Sequence, residues 1–468
     1  MAGNDSSSRS SGISKYALVA LGLALGVGLV GACNSATAPA AGSSTASTAL
    51  AASTAALVAG PVVCDAESSI DDAPPPSEAL VAKYAAAVKA DPLSHDALLY
   101  LGDSYYQLAR ETADPTDYNR ADDAFNQLLS ENPNDVEALI GHGTIALARH
   151  QFANGLAIGQ KALTLSPGSA LIYGVIGDAQ NELGQYDQAA ASVDTMARMR
   201  PDLSSYSRVS YVRELRGDIP GAITAMETAI EAGGPAVENT AYLRVILGNL
   251  QFTAGDLTKA DGAYRTTLAL MPGYVFALAG VARVDAARGD LAQAIACDQA
   301  AADRVPFPEF LIAEGEAQQA AGLETESQRT YALVRQIEAL FKANGVNTDL
   351  DLALFESEHG DPATALTLAQ AAYAATPNIK AADALGWALY QNGQLDQARQ
   401  YAEESLRLGT RDPSYAYHAG MIAKARGDTA QARTWLAQSL AANVSWSPLF
   451  APRAQAALTD LGGPVANR

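Results

Sequence analysis

The stretch GDAQNELGQYDQAAASVDTMARMRP, Gly177–Pro201, reads as two short helices joined at Gly184 and closed by Pro201. The first carries a small residue at Gly177 and the second opens on another, Ala189. Gly184 has seven successors, Gly217, Gly255, Gly289, Gly322, Gly360, Gly393 and Gly427, at intervals of 33, 34 or 38 residues. Seven residues before these glycines stand Gly177, Ser210, Gly248, Ala282, Gly315, Ala353, Gly386 and Gly420. Five residues after them stand Ala189, Ala222, Ala260, Ala294, Ser327, Ala365, Ala398 and Ala432. All sixteen are Gly, Ala or Ser. Antiparallel helices about 9 Å apart approach that closely only where side chains are small. Each turn glycine is placed to end a first helix in a left-handed cap. Asp218, Asp256, Asp290, Asp361 and Asp428 follow five of them, placed to cap the second helix. Pro133, Pro167, Pro201, Pro272, Pro306 and Pro377 stop second helices, because proline cannot continue one.

A helix–turn–helix of about 34 residues with these slots resembles the tetratricopeptide repeat. About ten copies lie between residues 95 and 444. The predicted class is therefore all-α: a right-handed solenoid lengthened by stacking, with a C-terminal capping helix. Leu449, Phe450, Ala454, Leu458 and Leu461 supply the apolar face of that cap, and Gly462-Gly463 stops it. Ser77–Asp91 reads as a lone helix within an N-terminal cap spanning 77–94. Extra residues around Glu111–Tyr118, near Gly233-Gly234-Pro235 and near Asn344-Gly345 are assigned to turns, where added length is tolerated.

Residues 1–33 read as an export signal. Arg9 and Lys15 precede an apolar run, Ala17 to Val30, too short to span a bilayer comfortably. Its end, Val30-Gly31-Ala32-Cys33, resembles the lipobox of bacterial lipoproteins, which implies cleavage before Cys33 and lipidation of its thiol. The GxGxxG spelled by Gly26–Gly31 is rejected as a dinucleotide fingerprint, since no acidic residue follows until Asp65. Residues 34–76, rich in Ala, Ser, Thr and Pro, read as a disordered tether spanning on the order of 35–40 Å. Cys64 reads as a free thiol there, and Cys297 as a structural thiol inside a helix.

The net charge of −20 argues against nucleic acid as a partner and favours basic ones. His95, His142, His150, His359 and His418 show no metal-ligand spacing, and neither a Walker loop nor a nucleophile elbow is present. No catalytic residue, cofactor or metal is assigned, and the protein is read as no enzyme. The expected site is a concave groove lined by first helices. In Lys380–Gln391 the core stripe is Ala382, Leu385, Gly386 and Leu389, whereas Asp383, Trp387 and Tyr390 form a second stripe. The corresponding candidates elsewhere are Tyr106, Asp178, Tyr211, Asn249, Phe252, Arg283, Tyr417 and Met421. The resemblance implies that such residues hold a protein or peptide. The leading expectation is a lipid-anchored scaffold at a bacterial envelope, facing the periplasm or exterior. The alternatives are a groove for a small molecule or glycan, and an accessory subunit of an envelope enzyme complex.

Overall fold

The structure, a computed structural model, describes residues 18–22, 28–32, 64, 76–112, 114–233 and 237–463. Cys33, where lipidation is expected, and most of the stretch expected to be a tether lie outside these residues. Two short strands, β1 (Leu18–Gly22) and β2 (Gly28–Ala32), pair antiparallel. The remaining described elements are helices. After α1 (Pro76–Ala90) come ten antiparallel pairs. The first five are α2 (His95–Thr112) with α3 (Thr116–Glu131), α4 (Val136–Ala148) with α5 (Phe152–Leu165), α6 (Ala170–Glu182) with α7 (Tyr186–Met199), α8 (Leu203–Leu215) with α9 (Ile219–Ala232), and α10 (Val237–Thr253) with α11 (Leu257–Leu270). The second five are α12 (Val275–Arg288) with α13 (Leu291–Ala302), α14 (Pro308–Ala320) with α15 (Glu324–Ala343), α16 (Asp349–His359) with α17 (Pro362–Ala375), α18 (Ile379–Gln391) with α19 (Leu395–Ser405), and α20 (Pro413–Ala425) with α21 (Thr429–Ala441). The capping helix α22 (Phe450–Asp460) closes the stack.

The small slots do what their size dictates. Ala189, Ala222, Ala260, Ala294, Ser327, Ala365, Ala398 and Ala432 are all fully buried. On the facing helices, glycines make room for aromatic rings. A Cβ at Gly102 or Gly141 would overlap the Phe125 ring, and one at Gly248 or Gly280 would overlap Tyr264. One ring from a second helix thus fills space left by its own repeat and by the next. The capping reading holds at Asp218, Asp256, Asp290 and Asp361, whose carboxylates accept N–H bonds three residues on. Asp428 sits at the cap position without that bond. Gly360 departs from the left-handed turn, with φ −138°. There the Glu356 carboxylate accepts the Asp361 N–H instead. His150 occupies the turn position of the second repeat at φ 56°, a conformation that suits histidine better than most residues.

The three insertions do not stay in loops. They lengthen helices, giving 18 residues in α2, 17 in α10 and 20 in α15, against 13 or 14 in most others. Once a helix is nucleated, each added residue gains a backbone hydrogen bond, which a longer loop would leave to solvent.

The superhelix winds tightly enough to meet itself. Asn378 Nδ2 donates to the Glu182 carbonyl at 2.8 Å, and the Ile379 N–H donates to Tyr186 OH at 2.8 Å. Asn347 N–H donates to the Arg149 carbonyl, and Asn443 Nδ2 to the Phe252 carbonyl, each at 3.0 Å. The side-chain bonds among these span 191 to 196 residues, between five and six repeats. The concave face expected as an open groove is therefore roofed by the following turn. Gly255 lies at this seam, and a Cβ there would overlap the Ala442 carbonyl oxygen. Gly289 has a similar positive φ but open space around it. Both Ala variants should lose about 1 kcal/mol to the left-handed backbone. Gly255→Ala should lose at least ~1 kcal/mol more by prying the turns apart. Equal midpoints for the two variants in urea unfolding would argue against closure.

Candidate functional site

Closure leaves an interior cavity of about 490 Å³. Its wall is built from first helices of the middle repeats. The residue directly after each first-helix slot explains which side chains face it. Tyr211, Asn249, Arg283, Glu316 and Leu354, from repeats four to eight, all line the cavity. Asp178, Trp387 and Met421 hold the same register in repeats three, nine and ten, and lie off its wall.

Of the eleven candidates, Tyr211, Asn249, Phe252, Arg283 and Asp383 reach the cavity. Asn249, Phe252 and Arg283 meet: the Arg283 guanidinium lies 5.6 Å from the Phe252 ring centre and donates to Asn249 Oδ1 at 3.3 Å. Tyr211 OH donates to Glu182 Oε1 at 3.1 Å from another side of the wall. The other six are placed elsewhere, each for a local reason. Tyr106 is 1% exposed and packs beside Tyr118. Asp178 is buried and held by Arg208, whose Nε and Nη2 donate to its carboxylate at 2.8 to 3.1 Å. Trp387 is 4% exposed, so its assignment to a free stripe is corrected: it is core. Its ring stacks on His418 at 4.2 Å and on Tyr390 at 4.7 Å, under α22. Tyr417 is buried in the same cluster, with Met421 packed against it. The apolar cap covers this part of the last two repeats, whose Asp383 and His418 reach the cavity instead.

Sequence reasoning missed the acidic wall. Glu182, Glu214, Glu309, Glu316, Glu338 and Glu358 all line the cavity, with Lys380 among the few cations facing them. A usable signal existed for Glu316, which continues the register of Asn249 and Arg283. Burial pushes the carboxyls of Glu214 and Glu309 up to about 7. Glu338 is 5% exposed and is pushed up to about 8 by burial, with the Asp351 and Glu309 charges adding to the effect. Its unfolded value lies near 4.3. The stability it contributes is therefore full below about pH 4.3 and is lost as pH rises to about 8. From Glu338 alone, unfolding free energy should rise by roughly 2 kcal/mol as pH falls from 8.5 to 6, with Glu214 and Glu309 adding in the same direction. Glu338→Gln should raise the midpoint at pH 8.5 and flatten this dependence. A wild-type midpoint that falls over the same interval would contradict the placement.

The cysteines are also corrected. Cys64 and Cys297, 233 positions apart in sequence, form a disulfide with Cα atoms 4.9 Å apart. Cys64 is thus tied to α13, and neither thiol is free. Among the described residues, no helix is long and apolar enough to cross a membrane.

These features define a class first: a helical-repeat solenoid whose turns close around an acidic interior. Residues 96–135, 350–416 and 384–447 match models of the tetratricopeptide repeat. The chain carries tetratricopeptide repeats, and such repeats indicate a protein-interaction scaffold. It is 28% identical over 309 residues to cellulose synthase operon protein C of Xanthomonas axonopodis pv. citri (strain 306). That match spans 66% of this chain and only 17% of that protein. Similar solved structures include human IFIT1 with PPP-AAAA, at 14% identity and TM-score 0.45, covering 71% of this chain and 78% of that one. Yeast Tom70 matches at 13% identity and TM-score 0.37, covering 82% and 96%. A tetratricopeptide repeat protein from Parabacteroides merdae ATCC 43184 matches at 16% and 0.35, covering 56% and 99%.

Proposed function

We propose that the protein is an exported scaffold, lipid-anchored through Cys33 at a bacterial envelope, that holds a partner by a basic extended segment in its acidic interior. The observation that carries the binding mode is the run of carboxylates on the cavity wall, facing few cations. Arg and Lys side chains entering there would supply the missing counter-charge at low dielectric. Export is supported by the Cys64–Cys297 disulfide, since such bonds persist in oxidising compartments. In the test, the full chain is titrated with a Lys/Arg-rich peptide and with a Glu-rich control. The basic peptide should bind, weaken about tenfold or more on raising salt from 0.05 to 0.5 M, and weaken again in Glu214→Gln/Glu309→Gln. Equal binding of both peptides would defeat the reading. Separately, Cys33→Ser should abolish fatty-acid labelling and release the protein from membranes without detergent. Persistent labelling would remove the anchor.

A second reading has one observation in its favour. Tyr242, Phe252, Phe276, Trp446 and Phe450 also face the cavity, and flat rings beside carboxylates suit a sugar strand. The similarity to a part of cellulose synthase operon protein C supports an accessory role in handling such a strand. Binding of soluble glucan oligomers, unaffected by salt, would favour this reading over the first.

A further inference from the structure

Three first helices bring an unassigned cluster together at the cavity wall. Glu316 comes from α14, Glu358 and His359 from the end of α16, and His418 from α20. His359 Nε2 lies 3.3 Å from Glu316 Oε1 and 3.7 Å from Glu358 Oε2. One ligand atom from each of these three residues lies within 4.8 Å of the others. The other oxygen of Glu358, Oε1, is 3.6 Å from His418 Nε2.

His418 is the telling member. Its side chain is 2% exposed, and its Nε2 has no hydrogen-bond partner among the described residues although it is aimed at Glu358. Its other nitrogen, Nδ1, is held by Asp383 Oδ2 at 2.9 Å. A carboxylate behind one ring nitrogen orients an imidazole and makes it more basic, and the other nitrogen, 3.6 Å from Glu358, would give up its proton on ligating a metal. Aromatic rings lock both imidazoles in place: Trp387 stacks on His418 at 4.2 Å, and Tyr331 on His359 at 4.4 Å. His359 is also the last residue of α16, where the helix dipole favours a cation. In a tetrahedral zinc site with bonds of about 2.0–2.1 Å, ligand atoms stand about 3.3–3.4 Å apart. The His359–Glu316 pair already stands at that distance and the two Glu358 contacts lie at 3.6 and 3.7 Å, whereas the Glu316, Glu358 and His359 atoms as a set fit only within 4.8 Å, so loading would draw the carboxylates and His418 inward. Among the described residues the ion-pair partners of Glu316 and Glu358 are imidazoles, so a bound dication would neutralise the pair.

We infer that Glu316, Glu358, His359 and His418 form a site for a divalent transition metal, zinc by its nitrogen and oxygen donors, with Asp383 as the positioning residue behind His418. The metal would tie repeats seven, eight and ten together at the wall of the cavity. This inference does not depend on what the cavity binds.

The test uses the full chain stripped with chelator and titrated with zinc chloride alone, then with cobalt chloride. One equivalent of zinc should bind, and cobalt should give the intense visible bands of a tetrahedral ion. Glu316→Gln and His359→Ala should each weaken zinc binding at least 100-fold, and Asp383→Asn about 10- to 100-fold. His142→Ala, remote from the cluster, should leave it unchanged. Glu316→Gln preserves shape, and circular dichroism of each variant confirms that lost binding is not lost folding. Absence of a stoichiometric site in the wild type, or binding undiminished in folded Glu316→Gln, overturns the inference.

Discussion

Trp387→Ala should destabilise the C-terminal part of the solenoid by about 3–5 kcal/mol, the range for emptying a buried aromatic site. The indole is 4% exposed and joins four helices. It stacks on Tyr390 within α18 and on His418 of α20, and shares a cluster with Leu436 of α21 and Phe450, Ala454 and Leu458 of α22. Removing it leaves a hole that Leu440 and Leu449 cannot fill without moving the cap. Because stability passes between neighbouring repeats and across the closing seam, the loss should be confined to repeats nine and ten, the cap and the helices that the seam joins to them. Hydrogen exchange should show repeats nine and ten and α22 opening, while α2 to α5 keep their protection. An unchanged thermal midpoint with partner binding lost would instead place Trp387 on an open surface and overturn this packing.

The second large effect concerns the disulfide. In the loop-closure account a cross-link spanning 233 residues removes about 5 kcal/mol of denatured-state entropy, and measured values are more often 2–4 kcal/mol. Cys297→Ser should lower unfolding free energy by roughly that measured range. Cys297 is fully buried in α13, and Cys64 is 6% exposed against the same core as Val281 and Phe310. Non-reducing peptide mapping of protein made in an oxidising compartment should recover a single 64–297 link. Two alkylatable thiols at these positions after denaturation without reductant would exclude it.

Sequence alone determined the solenoid, because its signals are local and repeat. Small residues at Ala189 or Ala294, a glycine at Gly217 and an aspartate at Asp218 act within one helix pair, and ten pairs restate the same terms. The C-terminal cap was legible for the same reason, in the spacing of Phe450, Ala454 and Leu458. The register also carried part of the site, since Tyr211, Asn249 and Arg283 share one position and do face inward. What only the tertiary structure decided is whatever depends on superhelical pitch, a sum of small rotations that no single repeat encodes. Pitch brings Asn378 to Glu182 and Asn443 to Phe252, turning a groove into a cavity. Burial under α22 turned Trp387 from a presumed anchor into core, because the covering helix lies some sixty residues away in sequence. The Cys64–Cys297 pair and the cluster of Glu316, His359 and His418 have no spacing signature either. Their members come from separate elements, and only the winding of the chain makes them neighbours.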